Sequence, residues 1–306
     1  MLASSIEIVE VSPRDGLQNE KQLFSVAQKI ALIEGMAAAG ARRIEVASFV
    51  RADRVPQMAD AEAVIAGLDL PDEVMTIGLV MNVRGLDRAL ATRIDEIGAV
   101  CVASDSFAQR NQGQRSIESA EVAAEVMRLA LAQGRSAQVT IGAAFGCPFE
   151  GEVDPAHVVH MAKGLAEARP REIALADTIG VAVPQQVFEL VSQVRAVTDG
   201  IPVRVHLHNT RNTGIANAWA AVEAGAATLD SAVGGIGGCP FAPAATGNIA
   251  TEDLLYLLHR SKIATGYDLH QTIEMAGWLK GQMQRELPGM VSRAGMFPPV
   301  QIAAKD

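Results

Sequence analysis

Cysteine is scarce in this 306-residue chain, and its three copies, Cys101, Cys147 and Cys239, lie far apart with no CxxC pair. That spacing excludes a disulfide framework and a thiolate zinc site, and it fits a reducing cytoplasm. No run of Lys and Arg of the kind that tracks a phosphate backbone occurs, and the formal net charge is −9, so nucleic acid is not an expected partner. An acidic total does not exclude a CoA ester, whose phosphates need only a few local cations and helix N-termini. No apolar stretch is long enough to cross a bilayer, and no membrane partner is expected. The opening segment MLASSIEIVEV enters an alternating strand without a basic or apolar leader, from which an unexported, cytoplasmic protein is expected. An early GxGxxG is also missing, which leaves a dinucleotide-binding sheet unsupported.

What is present is a chain with 49% hydrophobic and 20% charged residues, a composition that supports one large core. Short β-rich runs alternate with Ala-rich amphipathic segments from end to end, the pattern of parallel βα units. The strands predicted are Glu7 to Ser12, Arg43 to Phe49, Met75 to Val80, Glu96 to Ala103, Gln138 to Ala144, Glu172 to Ala176, Val203 to His208 and Thr228 to Val233. Helical periodicity covers Ser25 to Ala39, Ile117 to Gln133, Pro155 to Ala168, Pro184 to Val197, Thr213 to Ala224 and Thr251 to Thr265. Pro155 and Pro184 suit a first helical turn, and Gly40, Gly134 and Gly225 suit a C-cap. Repeats of this number favour an α/β fold of the TIM (β/α)8 barrel type over 1–267, with 268–306 as a short C-terminal helical appendage packed on it.

In such a barrel the chemistry sits at the C-terminal strand ends. Those ends carry Arg14 and Asp15, Glu45 and Ser48, Asp177 and Thr178, His206 and His208, and, in the last loop, Cys239 and Asn248. His206 and His208 share one face because side chains alternate with period two. Asp15, after the first strand, lies near the seventh once the barrel closes. Asn248 adds an amide oxygen, although it is equally placed to cap the helix that follows. Two imidazoles, a carboxylate and an amide oxygen without thiolate suit a divalent cation, Mg²⁺ or Mn²⁺. Arg14 can stabilise an enolate oxygen, or alternatively pair with Glu45 or Asp177. Four glycines precede Cys239 in Gly234-Gly235-Ile236-Gly237-Gly238-Cys239, which reads as a mobile loop able to carry a proton-transferring thiol into the site.

The stretches Val11-Ser12-Pro13-Arg14-Asp15-Gly16-Leu17-Gln18-Asn19-Glu20-Lys21, Glu45-Val46-Ala47-Ser48-Phe49-Val50, Val55-Pro56-Gln57-Met58, Gly146-Cys147-Pro148, Asp177-Thr178-Ile179-Gly180-Val181, the HxH pair and GGIGGCPFAP through GNIATEDL together resemble the 3-hydroxy-3-methylglutaryl-CoA lyase family. The resemblance implies that Asp15, His206, His208 and Asn248 bind the metal. It implies further that Arg14 polarises substrate, Cys239 transfers a proton, Asp177 and Glu45 support, and Gln18, Ser48 and Thr178 lie near the substrate. The implied reaction is retro-Claisen cleavage of 3-hydroxy-3-methylglutaryl-CoA to acetyl-CoA and acetoacetate, the partner being an acyl-CoA thioester and the expected assembly a homo-oligomer, a dimer.

The chain departs from the family pattern at Asn209-Thr210, where Asp-Thr is usual, at Arg211, at Ala174-Leu175-Ala176 in place of Ser-Leu-Gly, and at Arg51-Ala52-Asp53-Arg54 in place of SPKW. None is a proposed metal ligand, but Arg211 and the missing hydroxyl at Ala174 leave the acyl group open. A different tertiary 3-hydroxyacyl-CoA, a Claisen-type synthase and a silent CoA-ester-binding barrel are the alternatives.

Overall fold

The computed structural model describes residues 3–238 and 247–298. Strands β1 (Glu7–Glu10), β2 (Arg43–Ser48), β3 (Met75–Val80), β4 (Glu96–Val102), β5 (Ser136–Gly142), β6 (Ile173–Asp177), β7 (Val203–Leu207) and β8 (Thr228–Ser231) pair in parallel and in chain order, and β8 pairs back with β1 to close the barrel. Outside them run α1 (Val26–Ala38), α2 (Ala61–Gly67), α3 (Val83–Leu90), α4 (Asp105–Gln112), α5 (Ser116–Ala132), α6 (Pro155–Ala166), α7 (Pro184–Val197), α8 (Gly214–Glu223) and α9 (Thr251–Arg260). The architecture is the expected TIM barrel.

Local chemistry explains the helix boundaries. Ser25 and Gln28 form a reciprocal capping box at the start of α1, which buries Leu32, Ile33 and Met36. Pro184 opens α7 at the position where its missing N–H costs nothing. Gly225, just past α8, has φ +85°, and a Cβ there would sit 2.4 Å from Arg195 Nη1. Beyond α9, α10 (Leu269–Met283) lies over α1, where Met275 fills the space above Gly35, and α11 (Val291–Ala294) follows.

The barrel interior is unusual for its class, which commonly fills with branched aliphatic layers. Here Arg43 is buried and bonded to Glu7 at 2.7 Å, Glu96 at 2.5 Å and Glu172 at 2.8 Å. Buried charges persist only when paired in this way. Arg43 and Glu45 point inward, so Ile44 between them and Val46 after them face the helices.

The first strand is shorter than its sequence predicts. Pro13 lacks a ladder donor, and Ser12–Gly16 instead winds into a single π-helical turn closed by Gly16 N donating to Val11 O at 3.1 Å. Arg14 and Asp15 therefore stand on a turn above the barrel mouth rather than on a strand. Short helices α2, α3 and α4 were not anticipated, and α9 stops at Arg260, five residues before Thr265.

Candidate active site

At the C-terminal end of the barrel, Arg14, Asp15, Glu45, Thr178, His206 and His208 line one cavity of about 1220 Å³. Ligand atoms of Asp15, His206 and His208 all lie within 4.8 Å of one another. Both imidazoles aim Nε2 at Asp15 Oδ2, at 3.9 Å from His206 and 3.8 Å from His208. Asn248 reaches the same point by backbone pairing with His208, and its Nδ2 donates to Asp15 Oδ2 at 2.8 Å. It does not cap α9, whose N-cap is Ala250.

This donor set fits a hard divalent cation. The Asn248 Oδ1 oxygen is buried without a partner, and rotating the amide would aim it at the Asp15 carboxylate with no change of chain path. Burial opposes the charge of Asp15, but Arg14 and the two imidazoles more than offset it and hold this carboxyl well below the usual carboxylate range. An ionised carboxylate beside two imidazoles is what metal binding requires. Gly237 leaves room for the assembly: its φ is +119°, and a Cβ there would stand 2.7 Å from Asn248 Nδ2.

The cationic partner is equally fixed. Arg14 Nη1 meets Asp15 Oδ1 at 2.7 Å and Nη2 meets Glu45 Oε2 at 2.8 Å. Glu45 sits where the β2–β3 register shifts, a bulge that re-aims the strand end. Asp177 does not pair with Arg14. Its two oxygens accept from Val181 N at 2.9 Å and Ala182 N at 3.0 Å, so it holds the turn after β6 and stays off the cavity wall. Burial pushes the Asp177 carboxyl up, against those two backbone donors. Thr178 lines the cavity while its Oγ1 accepts from Ala143 N at 2.9 Å, and Gln18 lines it as well. Ser48 is buried at the end of β2 and is not among the lining residues.

Cys239 lies outside the described residues. The start of its glycine run is fastened rather than free: Gly234 N donates to Glu252 Oε2 at 2.9 Å, Gly235 N to Ala232 O at 2.8 Å, and Gly289 N to Gly234 O at 3.1 Å. Glu10 adds a buried clamp, accepting from Ser12 N, Val233 N and Thr251 Oγ1, and so joins the π-turn to the segment after β8. Cys101 is buried and its thiol is pushed up to about 12 by that burial, which suits packing rather than proton transfer. Cys147 is also buried, 2.9 Å from Ser104 Oγ.

Two departures from the family pattern now have local explanations. Asn209 Oδ1 accepts from Gly214 N at 3.0 Å at the start of α8, and Arg211 Nη1 donates to the carbonyls of Ile179 and Gly180 at 3.2 and 2.9 Å. Neither lines the cavity. Sequence reasoning missed Asp230, whose Oδ2 lies 3.0 Å from His206 Nδ1, and Arg204, whose Nε lies 3.4 Å from Asp230 Oδ1; both line the cavity. Period-two alternation back from His206 along β7 points to Arg204, and the same alternation along β8 runs from Thr228 to Asp230.

A family model described as HMGL-like matches residues 5–278. The chain belongs to the HMGL-like family. Among relatives, an (R)-citramalyl-CoA lyase of Chloroflexus aurantiacus is 43% identical over 97% of this chain and 97% of its own length. A 3-hydroxy-3-isohexenylglutaryl-CoA/hydroxy-methylglutaryl-CoA lyase of Pseudomonas aeruginosa is 39% identical, covering 89% and 91%. The solved HMG-CoA lyase of Acinetobacter baumannii, in complex with coenzyme A and 3-methylmalate, superposes with a TM-score of 0.92 at 34% identity over 96% of each chain. This HMGL-like protein is accordingly a carbon-carbon lyase.

Proposed function

We propose that this lyase performs metal-dependent retro-Claisen cleavage of a tertiary 3-hydroxyacyl-CoA, with 3-hydroxy-3-methylglutaryl-CoA as substrate and acetyl-CoA and acetoacetate as products. The observation that carries the reading is the convergence of Asp15, His206 and His208 ligand atoms within 4.8 Å on the cavity wall, beside Arg14. Asp15, His206, His208 and Asn248 would hold the cation, and their hard oxygen and imidazole donors favour Mg²⁺ or Mn²⁺. When bound, such an ion supplies Lewis-acid polarisation of the substrate oxygens.

The remaining work falls to the chain's own groups. A site base takes the tertiary hydroxyl proton, the carbon-carbon bond breaks toward the thioester, and a ketone forms on the other fragment. Arg14, kept in place by Glu45, donates to the enolate oxygen that develops on the thioester side. Cys239 returns a proton to the enolate carbon, completing acetyl-CoA. Thr178 and Gln18 contact the acyl portion from the cavity wall, and Asp177 fixes Thr178 through the turn it binds.

The opposite side of the mouth suits the CoA phosphates. Arg51, Arg54, Arg84 and Arg110 are exposed on the loops and helices after β2, β3 and β4, and all line the same cavity although the chain as a whole carries −9. Local cations of this kind draw an anionic ligand irrespective of net charge. Two buried free thiols, Cys101 and Cys147, are consistent with a cytoplasmic setting.

A second substrate, citramalyl-CoA, is favoured by the 43% identity to a lyase of that name over nearly the whole chain. The test is incubation with Mg²⁺ and each thioester in turn, following acetyl-CoA together with acetoacetate or pyruvate. Release of free CoA from acetyl-CoA plus a keto acid, with neither thioester cleaved, would sink the lyase reading in favour of a synthase.

A further inference from the structure

The charged interior of the barrel continues upward into the metal site. Glu172 Oε1 is shared by Arg43 Nη2 at 2.8 Å and Arg204 Nη1 at 3.3 Å. Arg204 Nη2 donates to Gln138 Oε1 at 3.0 Å and Thr140 Oγ1 at 3.1 Å, while its Nε lies 3.4 Å from Asp230 Oδ1. Asp230 Oδ2 stands 3.0 Å from His206 Nδ1. All these groups are buried except Thr140, which is half-buried. In register, Arg204 is flanked by Ala174 on β6 and Thr228 on β8.

We infer that Arg204 is a positioning residue for the metal site: its charge holds Asp230 from below through an ion pair that lacks a hydrogen bond, and Asp230 in turn fixes the ring of His206. This rests on the metal-site reading above. An ionised carboxylate only accepts hydrogen bonds, so Asp230 requires the His206 proton on Nδ1 and leaves the Nε2 lone pair facing Asp15, where a cation is ligated. Without Arg204, Asp230 would keep, among the described residues, only His206 as a paired side chain and could swing with it.

The test is Arg204→Met, which keeps a long side chain and removes the fork and charge. Glu172 stays paired with Arg43 and Thr228 Oγ1, so the lower interior remains satisfied. Mn²⁺ binding to the purified full chain should weaken about tenfold, the magnitude expected when an outer partner of a ligand is lost. The ¹⁵N spectrum of the metal-free protein should show His206 losing its single Nδ1–H tautomer, and KM for the thioester at saturating Mn²⁺ should stay within twofold. A folded Arg204→Met protein with Mn²⁺ affinity and tautomer unchanged would overturn the proposal. Should that variant not fold, Arg204→Lys keeps the charge without the fork, and Mn²⁺ affinity at least threefold weaker is expected, an unchanged value again overturning it. Asp15→Asn is run alongside: if it too leaves Mn²⁺ binding intact, the metal-site reading itself fails, whereas its loss of binding with Arg204 variants unaffected removes only the role of Arg204.

Discussion

Glu252 should make this protein's stability fall with rising pH, and Glu252→Gln should remove that fall. Glu252 is buried in the first turn of α9, with Oε2 holding Gly234 N at 2.9 Å and Oε1 unpartnered. Burial pushes its carboxyl up to about 7 from an ordinary 4.5. Below the ordinary value both folded and unfolded chains are protonated and the group contributes no difference. Between the two values the unfolded chain ionises while the folded chain keeps its proton, so stability falls by about 1.4 kcal/mol per pH unit. Above about 7 both forms are ionised and the penalty levels off near ~3 kcal/mol. Glutamine accepts the same Gly234 hydrogen bond without ionising. Thermal unfolding of both proteins from pH 5 to pH 8 is the assay, and the variant should gain about 6 °C over the wild type across that range, taking ~2 °C per kcal/mol for a chain of this size. A gap between the two that does not change with pH would refute the assigned environment of Glu252.

Arg14→Met should lower kcat about 100- to 1000-fold at saturating metal with an unaltered circular dichroism spectrum, as expected for a lost oxyanion donor; a loss under tenfold would remove Arg14 from the chemistry. Gly237→Ala should weaken Mn²⁺ binding in a titration, because the new Cβ meets Asn248 Nδ2 at 2.7 Å and a φ of +119° strains an L-residue, together costing about 1–3 kcal/mol. Wild-type affinity in that variant would show that Asn248 is not held where the metal site needs it.

The sequence made the barrel readable because its strands carry buried aliphatic residues at short, regular intervals. β3 begins and ends at the predicted Met75 and Val80, and α7 at Pro184 and Val197, since a proline and a clear apolar stripe mark their ends. What escaped reading has physical causes. Helices α2, α3 and α4 span 7, 8 and 8 residues, too few for periodicity to rise above chance. The π-turn at Ser12–Gly16 depends on a hydrogen-bond pattern that no spacing rule encodes. Asp230 and Arg204 were legible by alternation from His206, but charged residues inside a barrel run against the expectation of an aliphatic core. The pairing of Asp177 with backbone N–H groups, rather than with Arg14, is visible only once the turn after β6 is folded.

The central claim is that the cluster of Asp15, His206 and His208 holds a cation on which carbon-carbon cleavage depends. It is tested most directly by acetyl-CoA release from 3-hydroxy-3-methylglutaryl-CoA and citramalyl-CoA with EDTA-stripped protein, before and after Mg²⁺ or Mn²⁺ is returned, with Asp15→Asn in parallel. The expected result is no release from the stripped protein, recovery on adding either ion, and no recovery in the variant. Full release in the presence of EDTA, or an Asp15→Asn protein that recovers with metal as the wild type does, would contradict it.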